Sequence, residues 1–174
     1  MNKTRRLTLM ALLSALALGL YVAESQLPPV VPVAGVKLGL ANIVTLTAMV
    51  LLGRRAAGAI LAVRIVLGSI FAGAVSALLF SLAGGLLSYV VLCVGVGPLG
   101  ARQLWVLSIV SALAHNLGQL LVAVCLTRTP ALLYYGLALL CTGIVAGLFT
   151  GVAAGALIRV CRRQFPPRGI LMKK

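Results

Sequence analysis

Residues 104–126 read LWVLSIVSALAHNLGQLLVAVCL, and this stretch decides the fold class. It contains no charged side chain, and a helix needs about 20 mainly apolar residues to cross the hydrocarbon of a bilayer. Further apolar runs on both sides of it predict an all-α, polytopic membrane protein with a bundle of six transmembrane helices. The predicted helices form one domain over residues 1–158 and cover residues 7–23, 38–52, 56–80, 84–97, 104–126 and 131–158.

The composition of the whole chain supports this interpretation. Of 174 residues, 62% are apolar and 9% are charged, and the mean hydropathy is +1.18. A soluble domain ordinarily carries about 25% charged residues, which coat its surface. The chain has too little polar material for such a surface, so lipid is the expected solvent for most of it.

The charge balance predicts the orientation of the helices. Fifteen Lys and Arg accompany a single acid, Glu24, and the net charge is +14. Nucleic acid binding is a possible reason for such a charge, but these cations fall in short clusters between apolar runs, as cytoplasmic loops do. On the predicted topology, only Lys37 and Arg128 lie on the outer side, and twelve cations lie on the other. Those twelve are Lys3, Arg5, Arg6, Arg54, Arg55, Arg102, Arg159, Arg162, Arg163, Arg168, Lys173 and Lys174.

Both termini are therefore predicted to be cytoplasmic, with a basic cytoplasmic tail over residues 159–174, in a multi-pass protein of the inner (cytoplasmic) membrane. The N-terminal segment resembles a signal peptide, but Tyr21-Val22-Ala23 offers no small-residue cleavage site, so it is interpreted as a retained first helix.

The weakest boundary is the predicted turn at residues 81–85, between the third and fourth helices, because no charge separates those two apolar runs.

Several chemistries are excluded. There is no G-x-x-x-x-G-K-[ST] motif for ATP, no Asp for an aspartate-rich magnesium site, and no second carboxylate for paired acid–base catalysis. The four cysteines show no metal-ligand spacing. We therefore expect no enzymatic activity from this chain alone, no metal site and no cofactor.

Arg64 is the most informative polar residue. It lies about eight residues, or roughly 12 Å, into the predicted third helix, close to the membrane midplane. A central arginine costs at least about 2.5–3.5 kcal/mol to insert, so it should face a cavity or a partner. An ion pair with Glu24 is one interpretation, although Lys37 competes for that carboxylate. The other is that an anionic ligand balances the excess of cation.

Two further polar groups are candidates for the same site. His115, Asn116 and Gln119 lie near the middle of the fifth helix, either as ligand contacts or as interhelical hydrogen-bonding groups. Three prolines and Gly35 precede Lys37 just before the second helix, and Gly39 and Asn42 follow at its start. This helix start is a candidate anion cradle; a simple extracellular connector is the alternative.

Small residues four apart form ridges on three predicted helices. Such ridges allow close packing of helices in lipid. On the sixth helix the ridge is predicted to pack internally, whereas on the first helix internal packing and docking onto another membrane protein are both open. The ridges are Gly143, Gly147, Gly151 and Gly155 on the sixth helix, Ala11, Ala15 and Gly19 on the first, and Gly68, Ala72 and Ser76 on the third.

Five segments together resemble one known family across the whole membrane region. They are YVAE (21–24), PVAGVKLGLANIVTL (32–46), RIVLG (64–68), FSLAGGLLS (80–88) and AHNLGQ (114–119). That family carries two labels, heptaprenyl diphosphate synthase component I and Gx transporter family. Ala34 departs from its pattern, where a proline is expected, and this affects the stiffness of the loop more than its chemistry.

In size and layout the family is similar to the substrate-binding S components of energy-coupling factor (ECF) transporters. The resemblance implies capture of a small molecule from outside, with release driven by a transmembrane coupling protein and two ATPases. The coupling protein would dock on Ala11, Ala15 and Gly19. The expected substrate is small and anionic or amphipathic: vitamin-like, an isoprenoid or related to a quinone or flavin. The synthase label implies the alternative, a non-catalytic membrane anchor for a prenyl synthase. The residues expected to bind substrate are Glu24, Lys37, Asn42, Arg64, His115, Asn116 and Gln119.

Overall fold

A computed structural model of the chain describes residues 3–26, 37, 39–99 and 103–164, and within these ranges it contains helices and turns but no strand. The all-α fold class is thus confirmed. The helices are α1 (Lys3–Ser25), α2 (Asn42–Leu52), α3 (Arg54–Ala72), α4 (Val75–Leu99), α5 (Leu104–Thr127), a 3-10 helix (Pro130–Tyr135) and α6 (Gly136–Gln164).

The surface of the bundle is apolar, as expected of a multi-pass membrane protein. Five helical stretches in the described part are long and apolar enough to cross a membrane, namely α1, α3, α4, α5 and the 3-10 helix with α6. Large hydrophobic side chains stand on the outside, including Phe71 at 69% exposure and Val94 at 71%. In water such a surface would be strongly unfavourable, whereas in lipid it carries no comparable cost.

α2 is the exception. It has 11 residues, so it is about 16 Å long and shorter than the hydrocarbon core. Nine of its residues are buried, and it packs against α1, α3, α4 and α6. The predicted second span began at Leu38, which lies outside the described residues, and the helix itself begins at Asn42. The interpretation of this segment as one of six membrane crossings therefore stays a prediction.

The predicted break between the third and fourth helices is wrong. α3 ends at Ala72 rather than near Phe80, because Gly73 adopts the left-handed conformation (φ 64°) and donates its N–H to the carbonyls of Ser69 and Ile70. Glycine at this position ends helices without steric cost. Gly84 and Gly85, predicted to form the turn, lie inside α4, where the missing Cβ serves close packing instead.

The remaining boundaries differ in smaller ways. α1 begins earlier than predicted, and α5 ends one residue after the predicted Leu126. The predicted sixth span starts with the 3-10 helix, and α6 continues to Gln164. The first part of the predicted basic tail is therefore helical, while residues 165–174 lie outside the described part of the chain.

The glycine ridge of α6 packs internally, as predicted, and its partner is α5. A Cβ added at Gly147 would lie 2.5 Å from the Cα of Ile109, and one added at Gly151 would lie 2.8 Å from the Cα of Trp105. Gly155 has no neighbour within 4 Å of such a Cβ, so the packed part of the ridge ends at Gly151.

The helices alternate in direction, which gives the bundle two distinct ends. Arg5 donates to the carbonyl of Gln164 at 2.7 Å, so α1 begins where α6 ends. The carboxylate of Glu24 binds the N–H of Leu40, so α1 ends where α2 begins. We call the first the basic end and the second the pocket end.

Candidate functional site

A cavity of about 320 Å³ lies at the pocket end, between α1, α3, α4 and α5. One part of its wall is polar and carries two cations, and the other part is mainly apolar. The lining residues are Tyr21, Glu24, Lys37, Gly39, Arg64, Ser76, Ala77, Phe80, Ser81, His115, Gln119, Ala123, Leu126, Thr127 and Leu132.

Arg64 contributes the most deeply buried charge of the wall. It is the eleventh residue of α3, about 15 Å from the start of that helix, and its side chain is 3% exposed. Its Nε and Nη2 atoms have no hydrogen-bond partner among the described residues. These two nitrogens form the edge of the guanidinium that can bind both oxygens of a carboxylate or phosphate.

Glu24 does not neutralise Arg64 by direct pairing. Its Oε1 accepts the N–H of Gly39 at 2.6 Å and its Oε2 accepts the N–H of Leu40 at 3.0 Å. The turn before α2 was the predicted anion cradle, and Glu24 itself fills it. Since Glu24 is the only acidic side chain in the sequence, no other carboxylate side chain is available for Arg64.

Lys37 adds a second cation to the same wall. Its Nζ lies 3.8 Å from the centre of the Tyr21 ring, and the Cζ of Arg64 lies 5.8 Å from that centre. An aromatic face attracts cations, although less strongly than a carboxylate does. The backbone N–H of Lys37 donates to Oε1 of Gln119 at 3.1 Å. Gln119 therefore fixes the backbone of Lys37 against α5.

His115 lies where α4, α5 and the turn before α2 meet. A Cβ added at Gly84 would lie 2.9 Å from its Cε1 and Nδ1, and one added at Gly39 would lie 3.2 Å from its Cδ2. The ring thus fits between two backbones that approach closely because both positions are glycine. Its Nδ1 is buried against Gly84 and has no hydrogen-bond partner among the described residues.

Two predicted site residues do not line the cavity. Asn116 turns toward α6, where its Nδ2 donates to the carbonyl of Leu139 at 2.9 Å. Asn116 thus makes an interhelical hydrogen bond, which was predicted from the sequence as the alternative to a ligand contact. Asn42 is buried beside Gly39, and neither atom of its amide group is hydrogen-bonded within the described part of the chain. The other five predicted residues are brought together.

Sequence reasoning missed the aromatic part of the wall. Tyr21 lies one turn before Glu24 on α1, and this spacing was a usable signal because residues three apart share a face. Phe80 was predicted to end the third helix and Ser81 to begin the turn, so neither was considered as a site residue. With the break moved to Gly73, both belong to the first turns of α4, which face the cavity.

The small residues of α1 face outward. Ala11, Ala15 and Gly19 are all exposed, and nothing lies within 4 Å of a Cβ added at Gly19. Leu13 and Ala17 on the opposite side of α1 make the internal contacts. The ridge is therefore not used for packing among the described residues.

Comparison with known proteins identifies one family. The family model described as "Heptaprenyl diphosphate synthase component I" matches residues 13–157. These residues include α2 to α5 completely, most of α1 and α6, and the whole described cavity wall. No curated protein matches the chain, and no solved structure matches it.

Proposed function

The chain belongs to the heptaprenyl diphosphate synthase component I family, and we propose that it acts there as a transport component that binds a small anionic or amphipathic molecule. The observation that carries this proposal is Arg64. A buried arginine whose Nε and Nη2 have no acceptor among the described residues is costly, and a cavity lies directly beside it. A ligand with a carboxylate or phosphate would supply the missing acceptors.

The apolar part of the wall supports an amphipathic ligand. Phe80, Ala123, Leu126 and Leu132 line the same cavity as the cations and offer apolar surface. Known small-molecule sites have volumes of about 300–1,000 Å³ and combine mostly apolar walls with a few polar groups. The anionic end of the ligand would bind Arg64 and Lys37, and its apolar body would lie against α4 and α5. His115 and Gln119 would orient it by hydrogen bonding.

The proposal includes a direction and a partner. With both termini cytoplasmic, the pocket end faces outward, and the protein captures its ligand outside a cytoplasmic membrane. The exposed Ala11, Ala15 and Gly19 would form the contact with an ECF-type coupling protein, whose ATPases would drive release.

A second candidate function follows from the family description. On this hypothesis the chain is a non-catalytic, membrane-anchored subunit of a heptaprenyl diphosphate synthase. The single carboxylate in the sequence supports assigning catalysis to another chain. A prenyl diphosphate carries an anionic group on a hydrocarbon chain, so its binding on this hypothesis would also use the cavity.

Mass spectrometry of small molecules that copurify with the protein tests the first proposal. We expect a carboxylate- or phosphate-bearing molecule with wild type. Arg64→Gln should weaken binding of that molecule about 30-fold or more, because loss of a buried charge pair costs at least about 2 kcal/mol. Arg64→Lys keeps the charge but not the two-nitrogen edge, so its affinity should be intermediate.

The matched control is Arg128→Gln, which removes an exposed arginine at the same end of the bundle but outside the cavity. Its affinity should stay within about threefold of wild type. If Arg64→Gln binds and takes up the molecule as wild type does, the site assignment is wrong. If the chain instead copurifies with a prenyl synthase and raises its product formation, the second function is favoured.

A further inference from the structure

A second cleft lies at the basic end, far from the site described above. It has a volume of about 330 Å³ and runs between the first turns of α1 and α3. Three cations and three apolar residues line it: Lys3, Arg6, Arg55, Leu7, Met10 and Ala56. No function considered so far uses this cleft.

The cations of the cleft have no acidic side chain to balance them. Glu24, the only acid of the sequence, lies at the opposite end of α1. Neither α1 nor α3 has an acidic residue in its first turn. The N-terminus of a helix carries a partial positive charge of its own, so two helix starts and three cations concentrate positive potential at one place.

The order of groups along the cleft matches that of a phospholipid. Lys3 is the first residue of α1, and Met10 follows seven residues later, which is roughly 10 Å deeper in the bundle. Leu7 between them is 65% exposed, so it faces the lipid. Cations thus stand at headgroup level, above an apolar wall that an acyl chain can contact.

Arg6 also reaches the end of α2. Its Nη2 lies 3.5 Å from the carbonyl of Leu52, at the last residue of that helix. This carbonyl is one of the acceptors that a helix end leaves without an internal partner. The contact holds Arg6 over the junction of α1, α2 and α3.

From these observations we propose that the cleft is a specific site for the headgroup of an anionic phospholipid. Lys3, Arg6 and Arg55 bind the phosphate, and Leu7 and Met10 contact the upper part of an acyl chain. Basic pockets between transmembrane helices bind anionic headgroups in this way. The inference does not depend on the transport proposal or on which side of the membrane the basic end faces.

The test uses full-length protein in detergent, stripped of lipid, with phosphatidylglycerol as the probe. Thermal unfolding is followed as phosphatidylglycerol, phosphatidylcholine or inorganic phosphate is added. A ligand that binds only the folded state raises the unfolding temperature. We expect a saturable rise with phosphatidylglycerol, and little change with phosphatidylcholine or with phosphate at the same concentration.

A pair of double variants locates the effect. Lys3→Gln with Arg55→Gln removes two exposed cations of the cleft and keeps the Arg6–Leu52 contact. Each cation near an anionic headgroup contributes about a fivefold change in affinity, so this variant should bind phosphatidylglycerol about tenfold or more weakly. Arg159→Gln with Arg163→Gln removes two exposed cations at the same end outside the cleft, and should bind as wild type does.

Three results would overturn the proposal. The control pair could lose as much affinity as the cleft pair, which would mean unspecific attraction. Phosphatidylcholine could stabilise wild type equally, which would mean that charge plays no role. Inorganic phosphate could reproduce the full shift, which would mean a free-anion site and not a lipid site.

Discussion

Glycines on neighbouring segments allow residues of the cavity wall to pack closely against the backbone. His115 is the clearest case, because a Cβ at Gly84 would lie 2.9 Å from its ring and 3.0 Å from its backbone carbonyl oxygen. The ring could turn away from such a Cβ, but the carbonyl belongs to the backbone of α5 and cannot. The position of the imidazole therefore depends on the absence of a single methyl group on α4.

The variant Gly84→Ala tests this dependence. We expect it to lower the free energy of unfolding by about 1–3 kcal/mol, since overpacking of a core forces neighbouring groups to shift. It should also weaken ligand binding by displacing His115. Thermal unfolding in detergent measures the first effect.

Gly97→Ala is the matched control. Gly97 lies in the same helix but has no neighbour within 4 Å of an added Cβ, so alanine should leave stability unchanged or raise it by up to about 1 kcal/mol. Equal stability of the two variants would contradict the role given to Gly84.

For single residues, the sequence predicted which polar side chains are buried but not what they contact. Arg64 and His115 were expected inside because of their depth in apolar runs, and both are buried. Asn116 directly follows His115, yet it faces α6 instead of the cavity. Which side of a helix faces which neighbour is determined by packing between distant segments, and the sequence of one helix does not contain that information.

Among the elements, α5 and α6 approach each other closely at their backbones. The Cβ missing at Gly147 would stand 2.5 Å from the Cα of Ile109, so the two backbones are in direct contact. Ser108 and Thr150 share a hydrogen bond of 2.8 Å close by. Small residues and hydroxyl pairs of this kind hold helices together where lipid removes the hydrophobic driving force.

Gly147→Ala should therefore push α6 away from α5. We expect a loss of about 1–3 kcal/mol in the free energy of unfolding, because a backbone atom cannot move aside as a side chain can. Gly155→Ala, one ridge position from Gly151 but without a neighbour, should be neutral or slightly stabilising. Thermal unfolding of the two variants compares them directly, and a stable Gly147→Ala would show that the helices are not in contact there.

The elements also show where sequence reasoning failed. Gly73 and the pair Gly84-Gly85 all stand in apolar surroundings, and the sequence alone favoured the pair as the turn. The structure uses Gly73 to end α3 and the pair for contacts of α4 with His115 on α5 and with Leu61 and Ile65 on α3. A glycine that ends a helix and a glycine that admits a neighbour look alike until the neighbour is known.

For the whole molecule, the orientation in the membrane rests on the distribution of cations. The basic end and the pocket end are defined by the fold, and the twelve-to-two split of predicted loop cations assigns the basic end to the cytoplasm. This assignment was made from the sequence, and it stays a prediction.

Labelling of single cysteines in intact cells checks it. The background is a variant in which the free cysteines Cys93, Cys125, Cys141 and Cys161 are replaced by alanine. Tyr134→Cys, at a position that is 89% exposed at the pocket end, should react with a membrane-impermeant maleimide added outside. Arg163→Cys at the basic end should react only after the cells are permeabilised. The reverse pattern would invert the topology and with it the proposed direction of capture.

The short central helix has a consequence for how the protein is made. A helix of about 16 Å reaches across only about half of the hydrocarbon. It is therefore not expected to insert into the bilayer from the translocon as an independent span. A single residue, Gly53 with φ 85°, joins it to α3. We therefore expect α2 and α3 to enter the bilayer as one hairpin, with α2 becoming enclosed only when α4 and α6 have been synthesised. Until then α2 would lack two of the four helices that enclose it, α4 and α6.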